Sequence, residues 1–246
     1  MKVKYFDLKN KRVFVSGGGS GIGATIVEHF CEQQSEVYFI DINIKASKQL
    51  IKKIKKKRFR VPKFIECNVL EIQKLQNLIK DIISKKGPIH CLINSAANDD
   101  RHSTEEVDEK YWENRMGINL KHYFFAAQSV VKGMKKIKSG SIVNLSSVSW
   151  VLGEGDKVIY ETAKSAVIGL TRSFAQEFGK FNIRTNSVIP GSIATERQIK
   201  NWLTPKYKKL ILDSQALKRQ LKPEDVARLV LFLSSDQSSG CTKQSF

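Results

Sequence analysis
Six short runs rich in β-branched and aromatic residues, at 12–16, 37–41, 63–69, 90–94, 141–147 and 183–189, alternate with segments whose apolar residues recur at helical spacing. The intervening segments include Leu75, Leu78, Ile79 and Ile82, and later Val226, Leu229, Val230 and Leu233. Parallel strands need crossover helices, and strands buried on both faces read as continuous apolar runs. The succession therefore predicts an α/β fold, a parallel sheet covered by helices on both sides. At 246 residues, with no internal repeat or linker, the chain suits a single domain over 1–246.

Two helical stretches carry more apolar width than one sheet contact needs. These are 119–137, with Leu120, Tyr123, Phe124, Phe125, Ala126, Ala127, Val130 and Val131, and 158–178, with Tyr160, Ala163, Ala166, Val167, Leu170 and Phe174. A second burial partner is expected, most economically another copy of the chain, giving a homo-oligomer (tetramer or dimer).

The formal charge is +18, which raises nucleic acid or an acidic membrane surface as a partner. Most of the surplus lies in two stretches. Residues 43–63 hold ten lysines or arginines and no acid, and residues 197–222 hold eight against Asp213. In the first, Leu50, Ile51 and Ile54 form an apolar stripe among the lysines, as a helix with a solvated face requires. No recognition motif accompanies the charge, so no nucleic-acid partner is expected. No apolar run approaches the roughly 20 residues needed to span a bilayer, and residues 1–12 lack a secretory signal, so a soluble cytoplasmic protein without a membrane partner is expected. Cys31, Cys67, Cys91 and Cys241 form no C-x-x-C pair, and no histidine spacing suggests a metal site.

Directly after the first run comes Ser16-Gly17-Gly18-Gly19-Ser20-Gly21-Ile22-Gly23, opening into a helical pattern. Glycines let the backbone approach a pyrophosphate, whose charge the free N–H groups of a helix start stabilise. A glycine-rich turn alone is a weak signal, but here the strand before and the helix after are both present. The second run ends in Asp41, placed to accept hydrogen bonds from ribose hydroxyls and to repel a 2′-phosphate. That favours NAD, while Lys45 nearby leaves NADP open.

The order Asn119, Ser147, Tyr160-Glu161-Thr162-Ala163-Lys164 completes a pattern that resembles the short-chain dehydrogenase/reductase family. Gly17, Gly21 and Gly23 match its G-x-x-x-G-x-G turn, Asn94-Ser95-Ala96-Ala97 its N-N-A-G stretch, and Pro190-Gly191-Ser192-Ile193-Ala194-Thr195 its P-G-x-x-x-T segment. The match covers 11–240. Ser95 and Ala97 depart from the usual Asn and Gly but are small. Asn68 stands where an acid commonly contacts adenine, and its side-chain oxygen can accept from the adenine amino group. The family continues beyond the position of Phe246 through a last strand, which is therefore expected to be truncated here.

The resemblance implies a Rossmann-type doubly wound sheet and an NAD(P)-dependent oxidoreductase. It implies Asn119, Ser147, Tyr160 and Lys164 as catalytic residues: Tyr160 the general base in alcohol oxidation, Ser147 bonded to the reacting oxygen, Lys164 gripping the nicotinamide ribose, and Asn119 holding a water that links Lys164 to solvent. At i and i+4 on a helix, Lys164 is expected to lower the Tyr160 pKa. Gly17, Ser20, Gly21, Ile22, Gly23, Asp41, Asn68, Val69, Asn94, Ala96, Tyr160, Lys164, Pro190, Gly191, Ile193 and Thr195 are the implied cofactor-binding residues.

Polar residues that follow strand ends point to the substrate: Asn98, Asp99, Asp100, Arg101 and His102, then Ser147, Ser149, Trp150 and Glu154, then Thr195, Glu196, Arg197, Gln198 and Trp202. The first two groups resemble the sugar 1-dehydrogenase branch. An aldose needs paired donors and acceptors for its hydroxyls plus a flat apolar platform, which these residue types supply. Asn98, Asp99, Ser147, Trp150, Glu154 and Gln198 are the candidate sugar contacts, and an aldose-to-lactone oxidation with NAD is expected. The alternatives are a reductase of the same family acting on a 3-oxoacyl or other ketone substrate, and a non-catalytic dinucleotide- or nucleic-acid-binding protein.

Overall fold
In the computed structural model, which describes residues 3–246, six strands form one sheet in the order β3-β2-β1-β4-β5-β6, every neighbouring pair parallel. The strands are β1 (Arg12–Ser16), β2 (Glu36–Asp41), β3 (Lys63–Glu66), β4 (Cys91–Asn94), β5 (Gly140–Leu145) and β6 (Ile183–Val188). The crossovers contain α1 (Gly21–Glu32), α2 (Ile44–Lys56), α3 (Ile72–Lys86), α4 (Glu109–Met116), α5 (His122–Ile137), α6 (Ser149–Leu152) and α7 (Val158–Phe178). After β6 come α8 (Glu196–Asn201), α9 (Pro205–Ser214) and α10 (Pro223–Ser234). The strand order reverses between β1 and β4, which opens a crevice at their C-terminal ends, where doubly wound sheets bind ligands.

Alternate residues of each strand feed separate cores. Val13, Val15, Val37, Phe39 and Val143 pack with Ile26, Val27 and Phe30 of α1 and Val226, Val230 and Leu233 of α10. Phe14, Tyr38, Ile40, Leu92 and Ile142 pack with residues of α3, α5 and α7, including Leu75, Val130 and Phe174. Burial on both faces is why the strands lack alternation. Phe39 also supports the ligand crevice, because a Cβ at Gly18 would stand 2.7 Å from its Cβ. Truncating such a fully buried ring costs about 3–5 kcal/mol.

The basic stretch at 43–63 behaves as an amphipathic helix. Ser47, Leu50 and Ile54 of α2 are buried, while Lys45, Lys48, Lys52 and Lys55 are exposed. Lys53 and Lys57 fold onto the nearly buried Glu28 of α1, Lys53 at 2.8 Å. Among the described residues no helix is long and apolar enough to cross a membrane, and no cluster of His, Cys, Asp or Glu could hold a metal.

The helix expected over 119–137 begins differently. Gly117–Lys121 form a wide π turn between α4 and α5, where a Cβ on Gly117 would stand 2.5 Å from Leu70 Cδ2 and push that side chain aside. The third strand ends at Glu66, so Asn68 and Val69 lie in its exit loop. At the far edge, where a truncated last strand is expected, residues 243–246 lie against β6. The Ser187 amide donates to the Gln244 carbonyl at 2.9 Å and the Ile189 amide to the Phe246 carbonyl at 2.7 Å, as residues 243–246 run parallel to β6.

Candidate active site
The glycine turn closes against its neighbours at the carboxyl end of β1. Gly17 and Gly21 have positive φ (67° and 54°), and a Cβ at Gly17 would stand 2.6 Å from Ala96 Cα, so only glycine allows the β1 and β4 exits to approach. Ser20 is the N-cap of α1 but makes no side-chain cap, and the first turn holds no acid. The N–H groups of Gly21, Ile22 and Gly23 thus face the crevice with the donor chemistry a pyrophosphate needs. Thr195 meets the same turn, its Cγ2 3.4 Å from a Cβ built on Gly21, which brings the segment Pro190–Thr195 onto the crevice. Ile193 in that segment is buried.

Asp41 ends β2 beside this turn. Its Oδ2 accepts from the Gly19 amide and its Oδ1 from the Asn43 amide, both at 2.8 Å, leaving each oxygen a lone pair for a hydroxyl. Asn68 Oδ1 already accepts from the Leu70 amide at 3.0 Å, so its capacity toward an adenine amino group is one lone pair. Asn94 is fully buried and its Nδ2 donates to Asn144 Oδ1 at 2.9 Å, so its side chain braces the sheet and only its main chain can face a cofactor. These residues fit a dinucleotide in donor set and in the space the glycines leave.

Asn119, Ser147, Tyr160 and Lys164 converge where β4, β5 and α7 meet, but two of the expected contacts differ. Asn119 is fully buried on the π turn and its amide is committed to backbone: Oδ1 accepts from Asn98 N at 2.8 Å, and Nδ2 donates to the carbonyls of Asn98 and Arg115 at 3.0 Å. Its side chain clamps the 95–103 loop, so a water held by Asn119 would rest on its main chain. Lys164, also buried, does not turn to the phenol of Tyr160. Its Nζ donates to the Leu145 carbonyl at 2.8 Å and to Tyr123 Oη at 3.0 Å, and lies 5.6 Å from the Tyr160 ring centroid.

The electrostatics follow. Burial raises the Tyr160 phenol well above its ordinary value, and the Ser147 hydroxyl opposes that rise. The expected lowering by Lys164 is therefore corrected: loss of hydration outweighs a cation held to one side. Burial also pushes the Lys164 ammonium down to about 7, with Asp99 opposing. Ser147 Oγ lies 2.9 Å from Ser149 Oγ and accepts from the Ser149 amide at 3.2 Å, which fixes its direction at the exit of β5.

The candidate substrate residues divide. Asp99 and Gln198 meet, with Nε2 of Gln198 donating to Oδ2 of Asp99 at 2.9 Å. Arg197 binds Oδ1 of Asp99 at 3.1 Å and Oδ1 of Asp100 at 2.5 Å. Burial acts to raise the Asp100 carboxyl, but the Arg197 guanidinium holds it below the usual carboxylate range. Asn98 Oδ1 accepts from the Asp100 amide at 2.8 Å, an internal brace of the loop. Trp150 is half-buried with its indole N–H buried and unpartnered. Glu154 is exposed and its carboxylate is bound by Lys157, so it is the least engaged of the set.

Arg197 and Arg101, expected near the substrate but given no contact, bind protein groups instead, and Ser16 and Tyr123 take part from outside the predicted site. Arg197 latches α8 to the 95–103 loop, and Arg101 joins the same strap, its guanidinium 4.2 Å from the Trp202 ring centroid and 3.0 Å from Asp156. Ser16 Oγ accepts from the amides of Ser95 and Ala96 at 3.1 and 3.3 Å and lies 3.2 Å from His122 Nε2, holding the exit of β4. Tyr123 reads in the sequence as part of an apolar stripe. The available signal was its position four residues after Asn119, and Lys164 supplied no partner for it by spacing.

A family model described as enoyl-(acyl carrier protein) reductase matches residues 17–246. D-xylose 1-dehydrogenase of Caulobacter vibrioides is 42% identical over 238 residues, 97% of this chain and 94% of that protein. A Rhizobium meliloti protein named "Probable galactose dehydrogenase GalD" is 40% identical over 238 residues, 97% of this chain and 93% of that protein. Among solved structures, the ligand-free aldohexose dehydrogenase of Thermoplasma acidophilum superposes with a TM-score of 0.84 at 27% identity, covering 98% of this chain and 93% of that one.

Proposed function
Because this chain belongs to the short-chain dehydrogenase/reductase family, oxidoreductases that use nicotinamide dinucleotides, we propose that it oxidises the anomeric carbon of an aldose to a lactone with NAD. The observation that carries the sugar reading is the placement of Asp99. Its carboxylate, bracketed by Arg197 and Gln198, is close enough to Tyr160 and Lys164 for its charge to act on both. A polar wall beside the proton-transfer pair suits a substrate dense in hydroxyls, and half-buried Trp150 adds a flat face.

A bound oxidised nicotinamide would supply the hydride acceptor. Gly21, Ile22 and Gly23 would hold the pyrophosphate, Asp41 the adenosine ribose, and Lys164 the nicotinamide ribose. Ser147 and Tyr160 bracket the anomeric hydroxyl, and Tyr160 Oη takes its proton as the C–H bond breaks. Burial favours the protonated phenol, so Tyr160 gives up its proton and serves as base only with a cation beside it, and Lys164, 5.6 Å from its ring centroid, is the cation in reach. Asn119 keeps the 95–103 loop in place. The apolar face formed by exposed Phe124, at 43%, with half-buried Leu120 and Leu170 beside it, supports a homo-oligomer built on the π turn, α5 and α7.

A panel of free aldoses including D-xylose and D-galactose, assayed with NAD by absorbance of the reduced cofactor, tests the reading. At least one aldose is expected to be turned over, with a lactone as first product and the matching 1-O-methyl glycoside inert, since it has no anomeric hydroxyl to deprotonate. The described family model favours a second reading, a reductase of an acyl thioester. Silence across the aldoses with brisk reduction of a 3-oxoacyl thioester selects it.

A further inference from the structure
The fully buried cluster behind Tyr160 contains a second phenol. Tyr123 of α5 has no exposed surface, and its hydroxyl reaches the Leu145 carbonyl at 3.0 Å and the Ala96 carbonyl at 3.4 Å. Lys164 Nζ lies 3.0 Å from the same hydroxyl and 2.8 Å from the same Leu145 carbonyl, which closes a three-membered ring of contacts. In the charged form of Lys164 the direction of each bond is forced. An ammonium only donates, so Tyr123 Oη accepts from Lys164 and spends its own proton on a carbonyl.

We propose that Tyr123 is a positioning residue for Lys164: its hydroxyl and the Leu145 carbonyl take two of the three ammonium N–H bonds, leaving one to reach the Tyr160 side of the crevice. The proposal rests on Tyr160 and Lys164 being the proton-transfer pair. An unrestrained lysine has several rotatable bonds and three equivalent donors, and would spread its charge over many directions. Fixing two donors fixes the third.

The arrangement also sets how readily Lys164 keeps its charge. The groups facing its ammonium are Tyr160 on its own helix, Tyr123 and His122 on α5, and Asp99 on the loop after β4. Asp99 favours the charged form. His122 is held neutral by burial, its pKa pushed down to about 3, and so adds no competing charge near neutrality. Tyr123 stays protonated because burial raises its pKa, so it remains a neutral acceptor. Without its oxygen the ammonium keeps only the Leu145 carbonyl as a direct partner.

Tyr123→Phe removes the oxygen and keeps the ring that packs edge-on against His122 at 4.5 Å. In protein labelled with [13Cε]lysine, the Lys164 resonance, assigned by its loss in Lys164→Met, is expected to titrate about one pH unit lower in the variant, the size of one hydrogen bond to a charged group. In turnover of the most active aldose with NAD, the acid limb of kcat/KM is expected to move about one unit toward alkaline pH, because the phenolate forming at Tyr160 loses its balancing cation. At pH 7 kcat/KM then falls about tenfold and recovers at high pH. Unchanged titration of Lys164 together with a superimposable pH profile, whatever the change in Tm, overturns the proposal and leaves Tyr123 a packing residue. If Tyr123→Phe does not fold, Tyr123→Met fills the space without an acceptor and is read the same way. Tyr160→Phe is the control. If it is inactive and Tyr123→Phe unaltered, only the positioning role fails; if it remains active, the proton-transfer reading fails and this inference with it.

Discussion

The carboxylate of Asp41 accepts the Gly19 amide at 2.8 Å, which ties the end of the second strand to the turn after the first. A Cβ at Gly19 would stand 2.9 Å from the same Oδ2 and 2.5 Å from Ser47 Oγ, so the contact exists only because the turn is glycine there. One negative charge therefore lies at the rim of the pyrophosphate crevice, where a 2′-phosphate would meet it. Wild-type kcat/KM is expected to favour NAD over NADP by at least about tenfold, roughly 1.4 kcal/mol. Asp41→Ala should narrow that ratio and weaken both cofactors, since the Gly19 amide loses its acceptor as well. A wild-type preference for NADP would mean that Asp41 does not face the ribose.

Tyr160→Phe deletes the proton acceptor and little else, because Lys164 is held by Tyr123 and Leu145 rather than by the Tyr160 oxygen. Turnover is expected to fall by about 10²–10⁴, the usual contribution of a general base. NAD affinity, measured by fluorescence titration, should stay within a few-fold. Retention of more than about a tenth of wild-type kcat would assign the base elsewhere.

Arg197 bridges Asp99 and Asp100 from a half-exposed position, so the latch between α8 and the 95–103 loop is accessible to salt. Arg197→Ala should change global stability by less than about 1 kcal/mol, as exposed ion pairs do. Its effect should fall on KM for the aldose, several-fold higher, because the strap no longer holds Asp99 in one orientation. Wild-type KM should also rise with added salt while the KM of the variant stays flat. Equal salt dependence in both proteins would show that the latch does not shape the substrate wall.

Burial, aided by Lys11 and Arg12, pushes the His90 pKa down to about 4, and burial, aided by Lys164, pushes His122 down to about 3. Both are depressed below the ordinary value near 6.5. The native state thus binds fewer protons than the unfolded chain across that interval. Stability from these two groups is fully present above about pH 6.5 and is lost as pH falls toward 4 and 3. Urea midpoints should decline between pH 6.5 and 4.5, before the carboxylates dominate, and His122→Gln should make that decline shallower. A midpoint that is flat over this range would show that neither imidazole is held neutral.

The strands, the glycine turn and α7 were legible from the sequence because each is specified locally. Apolar runs buried on both faces, the Gly17 and Gly21 conformations, and the i and i+4 spacing of Tyr160 and Lys164 need no knowledge of the rest of the chain. The expected span 158–178 is the observed α7. The π turn at Gly117–Lys121 was not legible, since helical spacing continues through it while the hydrogen bonding does not. Nor was the use made of the polar residues. Whether the Asn119 amide holds water or loop backbone, whether Lys164 faces Tyr160 or Tyr123, and whether Asp99 is open or bound by Arg197 all depend on which segment lies opposite. Those partners are 21, 41 and 98 residues apart and come from different crossovers. A charged or amide side chain has several partners of nearly equal energy in water, and only the packed crevice, by removing water and fixing directions, leaves one.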